Sequence, residues 1–86
     1  MKRKNPKELN SARAKLYFMF LQGEDYTIAK FKKWKPDPSS AAKLSFWDLW
    51  YEPNIGKKTI TEIIRWLGEH DLELAETPLD YKKMRK

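Results

Sequence analysis

The sequence predicts an all-α protein, a compact bundle of four to five short helices. Apolar residues recur at helical three- and four-residue spacing, helix-start signals precede several of these segments, and no strand pattern or repeat occurs. The 86 residues suit one domain with a small core, and four Trp, four Tyr and four Phe can fill it. We expect a flexible basic N-terminus (1–5), one helical domain (6–77), and a weakly ordered basic C-terminal tail (78–86).

The first predicted helix spans residues 6–22. Pro6 suits a first helical turn, and Gly23 offers the left-handed conformation that ends many helices. The residues predicted to form its inner face share helical spacing: Leu9, Ala12, Leu16, Met19 and Phe20.

A second, short helix is predicted over residues 27–34. Thr27 would cap its start, and Ile28 and Phe31 would point inward. Residues 35–40 contain two prolines one residue apart, which predicts a loop.

Two further helices are predicted around a hairpin at about residues 45–67. Ser45 and Asp48 have the spacing of a capping box, and so do Thr59 and Glu62. The core face of the second helix is set by four residues: Ile60, Ile63, Ile64 and Leu67. Gly68 would loosen or end this helix, and Leu72 and Leu74 would fold back onto the hairpin.

Charge is unevenly distributed along the chain, whose net charge is +6 at pH 7. The region 69–80 is acidic and has no lysine or arginine. The basic residues form four clusters: Lys2, Arg3, Lys4 and Lys7; Lys30, Lys32, Lys33 and Lys35; Lys57 and Lys58; Lys82, Lys83, Arg85 and Lys86. Such a sided charge distribution favours polyanionic partners, and the alternative is a solvated surface that promotes solubility.

Several classes of function find no support in the sequence. The absence of cysteine excludes disulfides and thiolate metal sites. His70 lies between Glu69 and Asp71, but neighbouring helical residues do not share a face, so we expect no metal or other cofactor. No nucleophile–base pair or phosphate-transfer loop occurs, and we expect no enzyme. The apolar run 16–21 is too short for a signal peptide or a membrane span, which predicts a cytoplasmic protein without a membrane partner.

The segment 53–63 has the features of an anion site. A turn holding Gly56 would join two short helices, and a glycine there lets a phosphate approach the backbone closely. The first turn of the second helix would offer unpaired N–H groups and the positive end of its dipole. Lys57 and Lys58 would displace counterions from DNA, and the Thr59 hydroxyl can bind phosphate. The alternative is a tight turn followed by solvated lysines.

The stretch 44–74 resembles the C-terminal domain of the bacterial RNA polymerase alpha subunit. The resembling residues are Leu44, Ser45, Asp48 and Leu49, the run 53–59, Thr61, Glu62, Ile63, Leu67, Leu72 and Leu74. The chain departs from the family in a longer segment at 32–42 and in the aromatic residues Phe46, Trp47, Trp50 and Tyr51. We expect a free-standing relative of this family.

The resemblance implies a module that binds the DNA minor groove, preferring A/T-rich sequence, and acts in transcription at the nucleoid. It places Asn54, Gly56, Lys58, Thr59 and Glu62 at the DNA-facing edge, with Lys57 adjacent. It also implies an arginine on the first helix that reaches into the narrow groove, for which Arg13 is the candidate. RNA polymerase or a transcription factor is the protein partner that it suggests.

Two alternatives involve aromatic residues elsewhere. A protein-interaction module that contacts or mimics the transcription machinery would use the acidic region 69–80 and the aromatic surface of Trp47 and Trp50. Residues 30–35 alternate lysines with Phe31 and Trp34 and could stack on unpaired bases. Inward packing of Phe31 with solvated lysines is the more common arrangement.

Overall fold

Five α-helices make up the regular structure in a computed structural model that describes residues 6–86. They are α1 (Ala12–Leu21), α2 (Ile28–Lys33), α3 (Pro38–Ala41), α4 (Phe46–Trp50) and α5 (Lys57–Glu69), followed by a 3-10 turn, Tyr81–Lys83. No strand occurs among residues 6–86, so the predicted all-α class is confirmed. The predicted flexible segment 1–5 lies outside the described residues.

Helix α5 supplies the largest share of the core. Its fully buried side chains are Ile60, Ile63, Trp66 and Leu67, and Ile64 is half-buried at the edge. The predicted core face of this helix is therefore confirmed. Against it pack Ala14 and Phe18 of α1, Phe46 and Leu49 of α4, and Ile55 of the connecting turn. No polar or charged side chain is buried among the described residues.

The prediction for α1 is wrong in its start and in part of its inner face. The helix begins at Ala12, because the Ser11 side chain caps it by accepting a hydrogen bond from the Ala14 N–H at 3.2 Å. Phe18 is fully buried against Trp66, with 5.8 Å between ring centroids, whereas Phe20 is 62% exposed. Contact with Trp66 sets which side of α1 faces inward, and periodicity within α1 does not contain that information.

Helix α2 starts as predicted, but one of its side chains does not point inward. Thr27 caps the helix by accepting from the Lys30 N–H at 3.0 Å. Phe31 is half-buried, whereas Ile28 is 66% exposed. A helix of six residues presents only one narrow face to the core, and Phe31 occupies it.

The prediction of an unbroken loop over 35–40 is wrong, because α3 begins within it. Asp37 caps α3 by accepting from the Ser39 N–H at 3.2 Å, and Pro38 is the first helical residue. Proline suits that position, where its missing N–H would have no helical partner. The same proline that prevents a helix from continuing therefore starts a new one.

Of the two predicted capping boxes, one is confirmed and one is wrong. Ser45 accepts from the Asp48 N–H at 3.3 Å, and the Asp48 carboxylate accepts from the Ser45 N–H at 2.9 Å. The cap of α5 is Gly56 instead of Thr59, which lies inside the helix. Glu62 cannot act as the capping partner because its carboxylate accepts hydrogen bonds from the Asn10 N–H and from Arg65.

The chain ends α1 and α5 with the same left-handed reversal. Gly23 has φ +85° and ends α1 as predicted. At α5 the left-handed residue is Asp71, with φ 58°, whereas Gly68 lies inside the helix, which corrects the prediction for Gly68. In both cases the second residue after the cap bonds back across the last turn, Glu24 to Met19 and Leu72 to Leu67.

Residues 72–86 return along the body of the protein. Leu74 is buried and Leu72 is half-buried against the core, as expected. Tyr81 and Met84 also pack there, and the Tyr81 ring lies 5.9 Å from that of Phe46. The tail that was expected to be weakly ordered is thus held by contacts to a core aromatic residue.

Substitutions at the two left-handed positions should have opposite effects. We expect Gly23→Ala to lower the free energy of unfolding by about 1–2 kcal/mol, because a side chain disfavours this conformation. Asp71→Gly should raise it by about 0.5–1 kcal/mol by relieving the same conflict and removing an acid from a helix C-terminus. Urea unfolding of both variants beside the parent protein measures this, and equal signs would contradict it.

Candidate nucleic-acid interface

The start of α5 is exposed and carries no side-chain cap. Gly56 is its N-cap residue, with an extended backbone (φ −90°, ψ 175°), and no side chain bonds to the first turn. A Cβ atom placed on Gly56 would meet nothing within 4 Å. An anion can therefore approach the first-turn N–H groups closely, and the 13-residue helix adds its dipole.

The three residues after Gly56 differ in what their side chains do. Lys58 is exposed and extends into solvent, whereas Thr59 is half-buried. The Lys57 ammonium donates to the carbonyl of Lys82 and is thereby tied to the tail. Lys58 is thus the side chain of this group with most freedom to contact a phosphate.

Arg13 lies beside the turn that precedes α5. Its Nη1 donates to the backbone carbonyl of Asn54 at 3.4 Å, although the two residues are 41 positions apart. Both residues are exposed. The fold therefore brings Arg13, Asn54 and the open start of α5 to one edge of the molecule.

Glu62 is engaged by neighbouring protein groups. Its carboxylate accepts from the Asn10 N–H at 2.8 Å and from two nitrogens of Arg65, each at 2.8 Å. The same guanidinium donates to the carbonyls of Pro6 and Glu8. The hydrogen bond to Glu62 raises the pKa of Arg65. This network joins residues 6–10 to α5, a structural role that the sequence does not reveal.

Loss of the hydrogen bonds that the Arg65 guanidinium donates should loosen the segment before α1. We expect Arg65→Lys to lower the free energy of unfolding by about 1–2 kcal/mol, because an ammonium cannot reproduce the planar set of donors. Urea unfolding measures the loss, and amide exchange at Asn10 should accelerate.

Lys35→Ala is the matched control. It removes an exposed ion pair with Glu8 (3.1 Å), and such pairs contribute less than about 1 kcal/mol. Equal losses in the two variants would contradict a special role for Arg65.

The basic tail packs beside the same edge, which sequence reasoning missed. The Lys86 ammonium donates to the carbonyls of Leu49 (3.2 Å), Glu52 (2.7 Å) and Ile55. Desolvation lowers the pKa of Lys86, against the opposing effect of Glu52. A groove of about 590 Å³ separates the tail from the turn, lined by Pro53, Ile55, Gly56, Lys57, Met84, Arg85 and Lys86. The basic run 82–86 is visible in the sequence, but its position beside the turn depends on these contacts.

The tryptophans proposed as a protein interface are half-buried. Both rings pack on Phe46, Trp50 in a stacked arrangement at 5.5 Å and Trp47 edge-on at 5.3 Å. The most exposed aromatic side chain of this region is Tyr51, at 76%, and it stacks on Trp47 at 6.1 Å. The two tryptophans thus serve the core with one side and leave a smaller surface to solvent than the sequence suggests.

His70 contacts protein groups on both sides. Its Nε2 lies 2.7 Å from the carbonyl oxygen of Lys7, and its ring meets Trp66 edge-on at 6.0 Å. Within residues 6–86, no group of three or more acidic or histidine side chains is placed to hold a metal ion. No helix in this part of the chain combines the length and apolar character needed to cross a bilayer.

Comparison of the chain with protein-family models, with curated proteins and with solved structures gives no match.

Proposed function

We propose that the protein is a DNA-binding module that holds duplex DNA through the start of α5 and the α4–α5 turn (52–56), and that it acts in transcription. The observation that carries the proposal is the convergence of Arg13, Asn54 and Gly56 at one edge. The resemblance of segment 44–74 to the RNA polymerase alpha C-terminal domain points to the same edge. In this proposal α4, the turn and α5 act as a helix-hairpin-helix.

Phosphate binding at this edge follows from ordinary electrostatics. A phosphate oxygen over Gly56 would accept from the N–H groups of the first turn of α5, where the helix dipole is positive. Lys58 would add a mobile charge, and Arg85 lies across the neighbouring groove. These contacts release counterions and are independent of base sequence.

Arg13 would supply the sequence preference. A guanidinium that enters the minor groove is favoured where the groove is narrow, as in A-tracts, because the negative potential is concentrated there. The contact with Asn54 holds Arg13 beside the phosphate-binding turn. Phosphate contacts and minor-groove contacts would then lie next to each other on one duplex.

Basic residues at this edge would attract a duplex. The 13 residues of α5 separate the Lys58 end from the Glu69 end by about 20 Å. The acidic region 69–80 starts at the far end, and the basic tail packs against the near end. Lys58 and the basic tail thus attract a polyanion to the start of α5.

Removal of the Lys58 charge should weaken binding to every duplex. We expect Lys58→Ala to lower affinity about fivefold and to reduce the slope of log K against log salt by about one. Fluorescence anisotropy with a labelled duplex over a series of salt concentrations measures both quantities.

Lys32→Ala provides the matched control. Lys32 is also an exposed lysine, but it lies beside His70 at the far end of α5. We expect its removal to leave the salt slope within error. A result in which Lys58→Ala changes neither affinity nor slope would sink the assignment of this edge to DNA.

Arg13→Lys tests minor-groove reading separately. The charge is kept, so affinity for a mixed-sequence duplex should stay within about twofold, whereas the preference for an A-tract duplex should fall. A guanidinium is more weakly hydrated than an ammonium and enters a narrow groove at lower cost. Competition between the two duplexes measures the preference, and an unchanged ratio would show that Arg13 does not read the groove.

A second candidate function is contact with a protein of the transcription machinery. The observation that favours it is Tyr51, which is 76% exposed and stacked on Trp47. Exposed aromatic surface of this kind is typical of protein interfaces. Protein binding there should depend little on salt and should be lost in Tyr51→Ala. DNA binding should weaken steeply with salt and should be kept in Tyr51→Ala.

A further inference from the structure

A groove of about 610 Å³ runs between α1 and α2 and ends at the α4–α5 turn. Four aromatic side chains line it: Tyr17, Phe20, Tyr26 and Phe31. Its polar end is formed by Arg13, Glu52 and Asn54. The volume lies within the range of about 300–1,000 Å³ typical of sites for small molecules and single chemical groups.

Two of the four rings in this groove are exposed to water. Phe20 is 62% exposed and Tyr26 is 48% exposed, and Leu21 and Ile28 on the flanking helices are also exposed. The rings of Tyr26 and Phe31 lie 5.8 Å apart, tilted by 54°. A clustered apolar surface of this kind marks a binding site, and its rings offer flat faces to a planar group.

The polar end carries groups that match the edge of a nucleobase. The Glu52 carboxylate can accept from exocyclic amino groups, and the Asn54 amide can both donate and accept. Tyr17 also lines the groove, and its hydroxyl can donate a hydrogen bond. This combination of acceptors and donors suits a base with several polar edge atoms.

One cation lines the groove, Arg13, and it suits a phosphate group. The Lys15 ammonium lies 4.6 Å from the centre of the Phe31 ring. Aromatic faces with interleaved cations are the combination that binds unpaired strands, because bases stack while the backbone is neutralised. A purely apolar occupant would make no contact with the polar end formed by Arg13, Glu52 and Asn54.

We propose that this groove binds an unpaired nucleobase of a strand that continues from a duplex held at the start of α5. The inference rests on the proposed function for the duplex part. Arg13 and Asn54 belong both to the duplex edge and to the groove, so the two surfaces are continuous. A strand that leaves the duplex end at Arg13 enters the groove, where its base stacks between Phe20 and Tyr26 and presents its edge to Glu52.

The test compares a blunt duplex, the same duplex with a three-nucleotide overhang, and the overhang strand alone, each by fluorescence anisotropy. Stacking predicts about tenfold tighter binding of the overhang duplex than of the blunt one. Phe20→Ala and Tyr26→Ala should abolish this gain and leave blunt-duplex affinity unchanged. Both side chains are exposed, so the variants should fold, which thermal unfolding verifies.

Tyr51→Ala is the matched control, since Tyr51 is an exposed aromatic residue that does not line the groove. It should keep the full gain from the overhang. Equal binding of blunt and overhang duplexes would overturn the proposal, and so would a gain that survives in both groove variants. A dimer in solution that Phe20→Ala dissociates would also overturn it, because a second copy would then fill the groove.

The same measurements distinguish a failure of duplex binding at the start of α5 from a failure of base binding in the groove. If Lys58→Ala leaves blunt-duplex binding unchanged, the α5 edge is not the duplex site. Binding of the overhang strand alone, lost in Tyr26→Ala and kept in Lys58→Ala, would still support the groove as a site for unpaired bases.

Discussion

Burial of one face of α5 is the constraint on which the other elements depend. The helices α2, α3 and α4 have six, four and five residues and are too short to be stable in isolation. Each fully buried apolar side chain of α5 stabilises the fold by about 1.5–3 kcal/mol. The contact of Phe18 with Trp66 orients α1, and Phe46 and Leu49 seat α4 on the same helix. The short helices persist because α5 offers a shared surface.

The position of the candidate interface follows from this packing. Once α1 and α4 are seated on α5, Arg13 and the α4–α5 turn must meet near the start of α5. The buried side chain of Ile55 anchors the turn in the core, and the Lys86 ammonium donates to the carbonyls of Glu52 and Ile55. Hydrogen bonds to this ammonium add to the backbone bonds of the turn, from Glu52 N–H to Leu49 and from Ile55 N–H to Glu52. The cations at this edge thus include structural ones, such as Lys86, and solvent-facing ones, such as Lys58.

Local signals predicted the parts of the fold that depend on neighbouring residues. The spacing of apolar residues in α5, the Ser45–Asp48 box and the stop at Gly23 act over one or two turns, so a sequence window contains them. Asp71 shows the limit of such signals. Gly68 was the better residue for a left-handed stop, but burial of Leu67 and packing of Leu72 carry the helix one turn further.

By itself, the sequence determined the helical class, the core face of α5 and the separation of acidic and basic regions, and it named residues 54–59 as candidates for binding an anion. Periodicity, composition and charge are properties of the chain and need no partner. Only the tertiary structure decided that Arg13 meets Asn54, that Glu62 binds Arg65, and that the basic tail packs beside the turn. It also decided that aromatic residues of α1 and α2 face one groove. These arrangements depend on how short helices rotate to bury side chains on α5, and that rotation is set by contacts between residues far apart in sequence.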